Sequence, residues 1–191
     1  MTNNTANIDA ALAAYIVDGP ARVAEVVLTK LALHDAIDLG RDVRRVGDAR
    51  SVKWSTAPTA QNLGMIPTVS VCGPLPGDAT ALDLEVYELI GREPSQTVVR
   101  LLDRIPALES ALAVMTRAAE LGFSNPQNDR RTRAGKAVVR DLKDAYPLFT
   151  TGYDDIVMAL AVRGPVVMAR VRPEITTALT SRGSASSTRS V

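Results

Sequence analysis

The sequence predicts a mainly α-helical protein with short β-hairpins, arranged as tandem winged-helix-like units. Leu, Val and Ala dominate a chain that is 46% hydrophobic and holds only two Phe and one Trp, a composition suited to helices packed by aliphatic side chains. Twice, helical stretches end near a Leu-Gly pair and give way to a polar turn bearing arginines. The turns "AIDLGRDVRRVGD" and "AAELGFSNPQNDRRTRAG" then occupy equivalent places in a weak internal repeat, and helix, helix, wing is the plan of a winged helix. A plain helical bundle would produce much the same pattern.

Each element has a local reason. Residues 1–7 are polar and read as a disordered N-terminus. Asn7 or Asp9 can cap a helix through "AALAAYIV", which stops at Asp18-Gly19, and Pro20 suits the first turn of the next, where its missing N–H costs nothing. That second helix, "ARVAEVVLTKLALHDAI", puts Val23, Val26, Val27 and Leu31 near one stripe, and Gly40 closes it. "RDVRRVGDARSVKW" reads as a hairpin about its Gly-Asp turn, residues 55–68 as loop, and "TVSVCG" as a short strand. "PLPGD" breaks the chain and marks a boundary, giving one unit over 8–76 and a second, with C-terminal helices, over 77–180.

In the second unit "TALDLEVYELIG" is helical. "SQTVVRLLDRI" follows with Ser95 as its cap, and "PALESALAVMTRAAELG" runs from Pro106 to Gly122. "KAVVRDLKDAY" comes after the basic turn. "DDIVMALAV" and "PVVMARVRPEITTALT" flank Gly164-Pro165, and the Ser/Arg-rich residues 181–191 read as a disordered tail.

Bulk properties weigh against several functions. The net charge is +1, without the basic excess through which nucleic-acid binders draw affinity from phosphates. Cys72 is the one cysteine and His34 the one histidine, so neither an intrachain disulfide nor a four-ligand zinc site can be built. The N-terminus lacks a signal-peptide pattern, and no stretch reaches the roughly 18 uninterrupted apolar residues of a membrane span. A cytoplasmic protein with no membrane attachment is expected.

Catalytic constellations are missing. His34 with Asp35 and Asp38 could suggest a proton relay or metal ligands, but a lone helical His is more often a packing or surface residue. Cys72 has no neighbouring base to lower its pKa and reads as an inert buried thiol. Asp154 and Asp155 are adjacent, so on a helix they do not face one another and suit a helix start better than a shared proton. No glycine-rich phosphate loop follows a strand, and the four tyrosines are too scattered for base stacking.

The basic turns are the remaining candidates. Arg130, Arg131, Arg133 and Lys136 gather at a helix start, where the helix dipole disfavours each cation by roughly 0.3–1 kcal/mol. They either serve an acidic partner or lie in a solvated turn and pair with Asp129 or Asp141. Val43, Arg44, Arg45 and Val46 form the matching strand of the first turn, with Asp42 and Asp48 nearby.

Several of these segments together resemble a family. "AAYIVDGPARVAEVVLTKLALHDAIDLG", "RRTRAGKAVVRDLKDAY" with its Arg-x-Thr-x-x-Gly motif, and "DDIVMALAVRGPVVMARV" are similar to parts of an uncharacterised actinobacterial family of domain-containing membrane proteins. The likeness covers most of residues 8–180. Typical members carry transmembrane helices between the two parts, where this chain has only the polar link "FSNPQNDRR", so membrane attachment is not carried over.

Members of that family are often encoded near multinuclear non-haem iron oxidases that modify ribosomally made peptides. The resemblance therefore implies a non-enzymatic accessory protein that binds such an oxidase, its precursor peptide, or both. A wing edge would accept an extended peptide and the basic residues would hold an acidic leader. No cofactor or metal of its own is expected. A winged-helix transcription regulator placing the same arginines on DNA phosphates is the alternative, and a metabolite sensor with a pocket between the two halves is a third reading.

Overall fold

A computed structural model describes residues 8–39, 41–42, 66–94, 96–125, 127, 130–148 and 152–180. It is mainly helical with a small antiparallel sheet. Helices α1 (Ala10–Asp18) and α2 (Pro20–Leu33) form the centre. Asp9 caps α1 by accepting from the Leu12 N–H at 2.8 Å, and Gly19-Pro20 turns the chain straight into α2. Both helices are apolar around much of their circumference because both are surrounded: α1 packs on α5 (Glu109–Glu120), α6 (Arg133–Ala145) and α7 (Tyr153–Arg163), and α2 packs on α3 (Ala81–Arg92), α4 (Val98–Arg104), α5, α7 and α9 (Pro173–Thr180). Leu12, Ile16, Leu28 and Leu31 share one core with Ile90, Leu101, Leu142, Leu160 and Ile175, so the two sequence halves are packed together.

Helix α2 stops at Leu33, short of the Ile37 expected from the sequence. Asp35 takes a left-handed conformation (φ 53°), with its N–H on the Ala32 carbonyl (3.2 Å) and the Ala36 N–H on that of Leu31 (3.0 Å). That hydrogen-bond pair terminates a helix and turns the following residues outward. Ile37 and Asp38 then enter a strand. The chain turns here, five residues before the Gly40 that the sequence suggested.

Strand β3 (Ile66–Val71) is the spine of the sheet. Along one edge it pairs antiparallel with β1 (Ile37–Asp38) and β2 (Arg41–Asp42), in the registers Ile37↔Val71 and Arg41↔Pro67. On the other it meets β4 (Gln96–Thr97), with Val69 opposite Gln96. The sequence placed the partner of the Arg41 strand just across the Gly47-Asp48 turn. Within the described residues its partner is β3, and Val43, Arg44, Arg45 and Val46 lie outside them, as do the tails 1–7 and 181–191.

Helix α3 (Ala81–Arg92) opens on a reciprocal cap, Thr80 accepting from the Asp83 N–H and Asp83 from the Thr80 N–H. Helix α4 (Val98–Arg104) is capped by Thr97, not Ser95, because residues 96–97 are held extended by β3 until the helix begins. A 3-10 turn at Ile105–Ala107 leads to α5 (Glu109–Glu120), and a tight hairpin joins α5 to α6 (Arg133–Ala145). Helix α7 (Tyr153–Arg163) ends at Gly164. The segment read as one last helix is broken into a 3-10 turn (Pro165–Val167), α8 (Met168–Val171) and α9 (Pro173–Thr180). The break falls at Arg172, where the following proline disfavours helical backbone. Among the described residues no helix is long and apolar enough to cross a membrane.

Candidate partner-binding surface

The basic turn is built on a fixed base. Leu121 caps α5, Gly122 follows with φ 72°, and the N–H groups of Gly122 and Phe123 bond the carbonyls of Ala119 and Ala118, each at 2.9 Å. Phe123 is thereby driven into the core, 4% exposed. Ser124 then bridges antiparallel to Arg131, with the Asn125 N–H on the Arg130 carbonyl (2.9 Å) and the Thr132 N–H on the Phe123 carbonyl (3.0 Å).

Thr132 and Gly135 explain the Thr-x-x-Gly part of the motif. The Thr132 hydroxyl caps α6 by accepting from the Gly135 N–H (3.1 Å), and donates to the Gly122 carbonyl (2.6 Å). A methyl group at Gly135 would stand 2.1 Å from the Phe123 carbonyl oxygen. Only glycine lets the first turn of α6 rest on the hairpin's backbone. These two residues are structural, and they hold the cations beside them in place.

Helix α6 has sharply different faces. Gly135, Val138, Val139 and Leu142 are buried. Arg133, Lys136, Arg140 and Lys143 are exposed at spacings of three and four, which aligns them as a stripe along the outer face. Arg130 and Arg131, also exposed, continue this ridge onto the hairpin. The structure thus brings together all four basic residues that the sequence singled out here and adds Arg140 and Lys143. Both are legible in "KAVVRDLK" from the same helical spacing.

Acidic neighbours leave part of the ridge unneutralised. Among the described residues Arg131, Arg133 and Lys136 have no ion pair. Asp141, one of the two counter-ions expected, lies 3.6 Å from Arg140, an exposed pair of the kind that contributes at most about 1 kcal/mol. Asp129, the other, falls outside the described residues.

Helix α5 stands next to the ridge and is set by a borrowed cap. Its N-cap residue, Leu108, offers no side-chain acceptor, so Glu85 of α3 supplies one. That carboxylate accepts the Ser110 N–H at 3.0 Å and the Ser110 hydroxyl as well. The hydroxyl bond, with the Ser110 and Glu109 N–H groups, holds the Glu85 carboxyl below its ordinary range against the opposing pull of burial. Outward, α5 presents Leu112 (48% exposed), Ala113 and Thr116 between Glu109 and Glu120. Arg117, beside them, is paired with Asp9 at 3.0 Å.

The other candidates resolve into structure. His34 is exposed and caps α2, Asp35 turns the chain, and among the described residues no group of three or more metal-ligating side chains converges. Cys72 is exposed, against the buried position expected, because it leaves the sheet at the rim. Its thiol donates to the Asp35 carbonyl, and partial burial with Asp38 and Asp35 nearby pushes its pKa up, away from a reactive thiolate. Asp154 and Asp155 occupy the first turn of α7.

A cleft of about 350 Å³ does lie between the halves, floored by Val26, Val27, Val157 and Met158. The two most buried polar side chains of its lining are committed to each other. Lys30 bonds Asp83 and Asp78, each at 3.0 Å. Burial pulls the lysine's pKa down, but these bonds and charges together hold it above its ordinary value.

Neither a family model, nor a curated protein, nor a solved structure matches this chain.

Proposed function

We propose that this chain is a non-enzymatic accessory protein that captures an acidic segment of a partner protein or peptide on the ridge formed by Arg130, Arg131, Arg133, Lys136, Arg140 and Lys143. The observation carrying this reading is the ridge itself: Arg133, Lys136, Arg140 and Lys143 exposed along one face of α6, with Arg130 and Arg131 exposed just before it, in a chain whose net charge is only +1. Charge concentrated on one face of a nearly neutral molecule is spent on recognition more readily than on solubility. The family resemblance supports a particular setting, in which the partner is the precursor peptide of a multinuclear non-haem iron oxidase, or the oxidase.

A second reading has an observation behind it. The order β4, α4, 3-10 turn, α5, hairpin resembles that of a winged helix, in which α5 would take the recognition position and Arg130 and Arg131 the wing. The finer architecture proposed for this half is therefore winged-helix-like. The chemistry of α5 favours a protein partner over DNA. Its first turn holds Glu109, and Ser110 is tied to Glu85 where base edges would be read. Its outer face sets an exposed leucine between two glutamates, which repel phosphates and suit an apolar contact.

Reversing the ridge with Arg131→Glu, Arg133→Glu and Lys136→Glu tests the proposal. The variant should fold at least as stably as the parent, since these are exposed positions without ion-pair partners among the described residues and acidic groups suit the start of α6. It should lose binding to a glutamate-rich peptide followed by fluorescence anisotropy, and binding by the parent should weaken with salt. Retained affinity would remove the ridge from recognition. Tight, steeply salt-dependent binding of duplex DNA by the parent would favour the regulator instead.

A further inference from the structure

The hairpin's hydrogen-bond pattern shows which of its edges is open. Ser124 and Arg131 are directly opposite, yet the two bonds between the strands are made by their neighbours, Asn125 to Arg130 and Thr132 to Phe123. In such a non-hydrogen-bonded pair each residue points its own N–H and C=O away from the partner strand. The outward N–H of Ser124 turns back to the Ala118 carbonyl of α5 at 3.3 Å, which closes that side. The outward N–H and C=O of Arg131 have no backbone partner among the described residues. Two strong hydrogen-bonding groups are therefore presented to the outside, between Arg130 and Arg133.

We infer that Arg131 is the docking point for an extended acidic peptide, which adds as a strand through main-chain bonds to the Arg131 N–H and C=O. This rests on the ridge being the recognition surface and adds its mode and register. Charge complementarity selects the occupant, because any strand bound at this edge lies among Arg130, Arg131 and Arg133. Strand addition takes affinity from the backbone and specificity from alternate side chains. The peptide residue bonded to Arg131 shares a face with the Arg131 side chain and is acidic, as are the residues two before and two after it. An alternating acidic strand, not a continuous acidic run, is the preferred ligand. The edge is short because α6 begins at Arg133 and leaves the ladder, so main-chain bonding fixes the register while the cations provide the reach.

Three labelled peptides of identical charge separate backbone pairing from charge attraction. Their sequence alternates Glu and Val, and the second and third are N-methylated at every Glu or at every Val nitrogen. In the inferred register the Glu N–H groups face Arg131 and the Val N–H groups face away. The parent chain should bind the unmodified and Val-methylated peptides alike, and the Glu-methylated one roughly tenfold more weakly. Equal binding of all three, with Arg131→Glu still abolishing it, would overturn the strand mode and leave the charged ridge standing. If the unmodified peptide fails to bind, or binds the charge-reversed variant as well as the parent, the ridge falls and the strand mode with it.

Discussion

The exits of α2 and α5 are made alike and finished differently. In each, a left-handed residue at the helix end closes the same pair of hydrogen bonds, Asp35 after α2 and Gly122 after α5. In each, a glycine packs against the carbonyl just beyond. A methyl at Gly73 would lie 2.5 Å from the Asp35 oxygen, and one at Gly135 would lie 2.1 Å from that of Phe123. After α2 the chain enters a sheet whose central strand pairs on both edges, and the Cys72 and Gly73 N–H groups bond the Ala36 carbonyl. After α5 the ladder stops at one bridge and leaves Arg131 facing outward among cations. One local device thus leads into a paired sheet in one place and, in the proposed reading, into a recognition edge in the other.

The largest expected effect comes from removing the close approaches. Gly135→Ala should destabilise by about 3 kcal/mol, at the upper end for overpacking, because the obstacle is backbone that cannot rotate away. Gly73→Ala should cost less, about 1–2 kcal/mol, since its contact is looser. Chemical denaturation measures both. Gly135→Ala should also abolish peptide capture by shifting α6 off the hairpin, while Gly73→Ala should leave it intact in the folded fraction. Equal losses of binding would mean that the two exits are not separate in function.

Residues whose partners are close in sequence made the elements legible in advance. Gly19-Pro20 places the junction of α1 and α2 because such signals are decided within a few residues, and "TALDLEVYELIG" and "KAVVRDLKDAY" fall on α3 and α6, the second beginning three residues late. Pairing over long separations was not legible. "TVSVCG" reads as a strand, but nothing in it reveals that Ile37, the expected end of the helix, leaves α2 and with Asp38 pairs with it. The repeat was aligned on Gly40 with Gly122, whereas the residue matching Gly122 is Asp35, a tolerated occupant of a glycine position that composition alone conceals. For the site, the charges were visible in the sequence. The open edge at Arg131 was not, because it depends on which backbone groups neighbouring elements use up.

A middle-sized effect should come from Glu85, which caps α5 and has no counterpart at α2, where Gly19-Pro20 needs no borrowed acceptor. Glu85→Gln keeps an acceptor but loses the charge, so about 1 kcal/mol should be lost at neutral pH. The carboxyl's pKa is depressed in the folded chain, so the unfolded chain binds its proton first as pH falls. Its contribution is present above the ordinary Glu value of about 4.3 and disappears as pH drops through the lower folded value. Denaturation at several pH values should show parent and variant converging in acid. A gap that persists there would mean that packing, not charge, fixes the start of α5.

An effect of similar size bears most directly on whether the two exits are one device. Gly122→Ala forces a β-carbon into left-handed backbone (φ 72°) and should cost about 1 kcal/mol, with open space around it and no clash to add. Asp35→Gly removes the same penalty (φ 53°) and should stabilise the chain by up to about 1 kcal/mol, less the greater freedom glycine gives the unfolded state. Opposite signs in thermal denaturation would establish that both positions are governed by backbone conformation. If Asp35→Gly destabilises, the Asp35 side chain contributes something that Gly122 does without. The likeness would then be confined to the hydrogen-bond pattern.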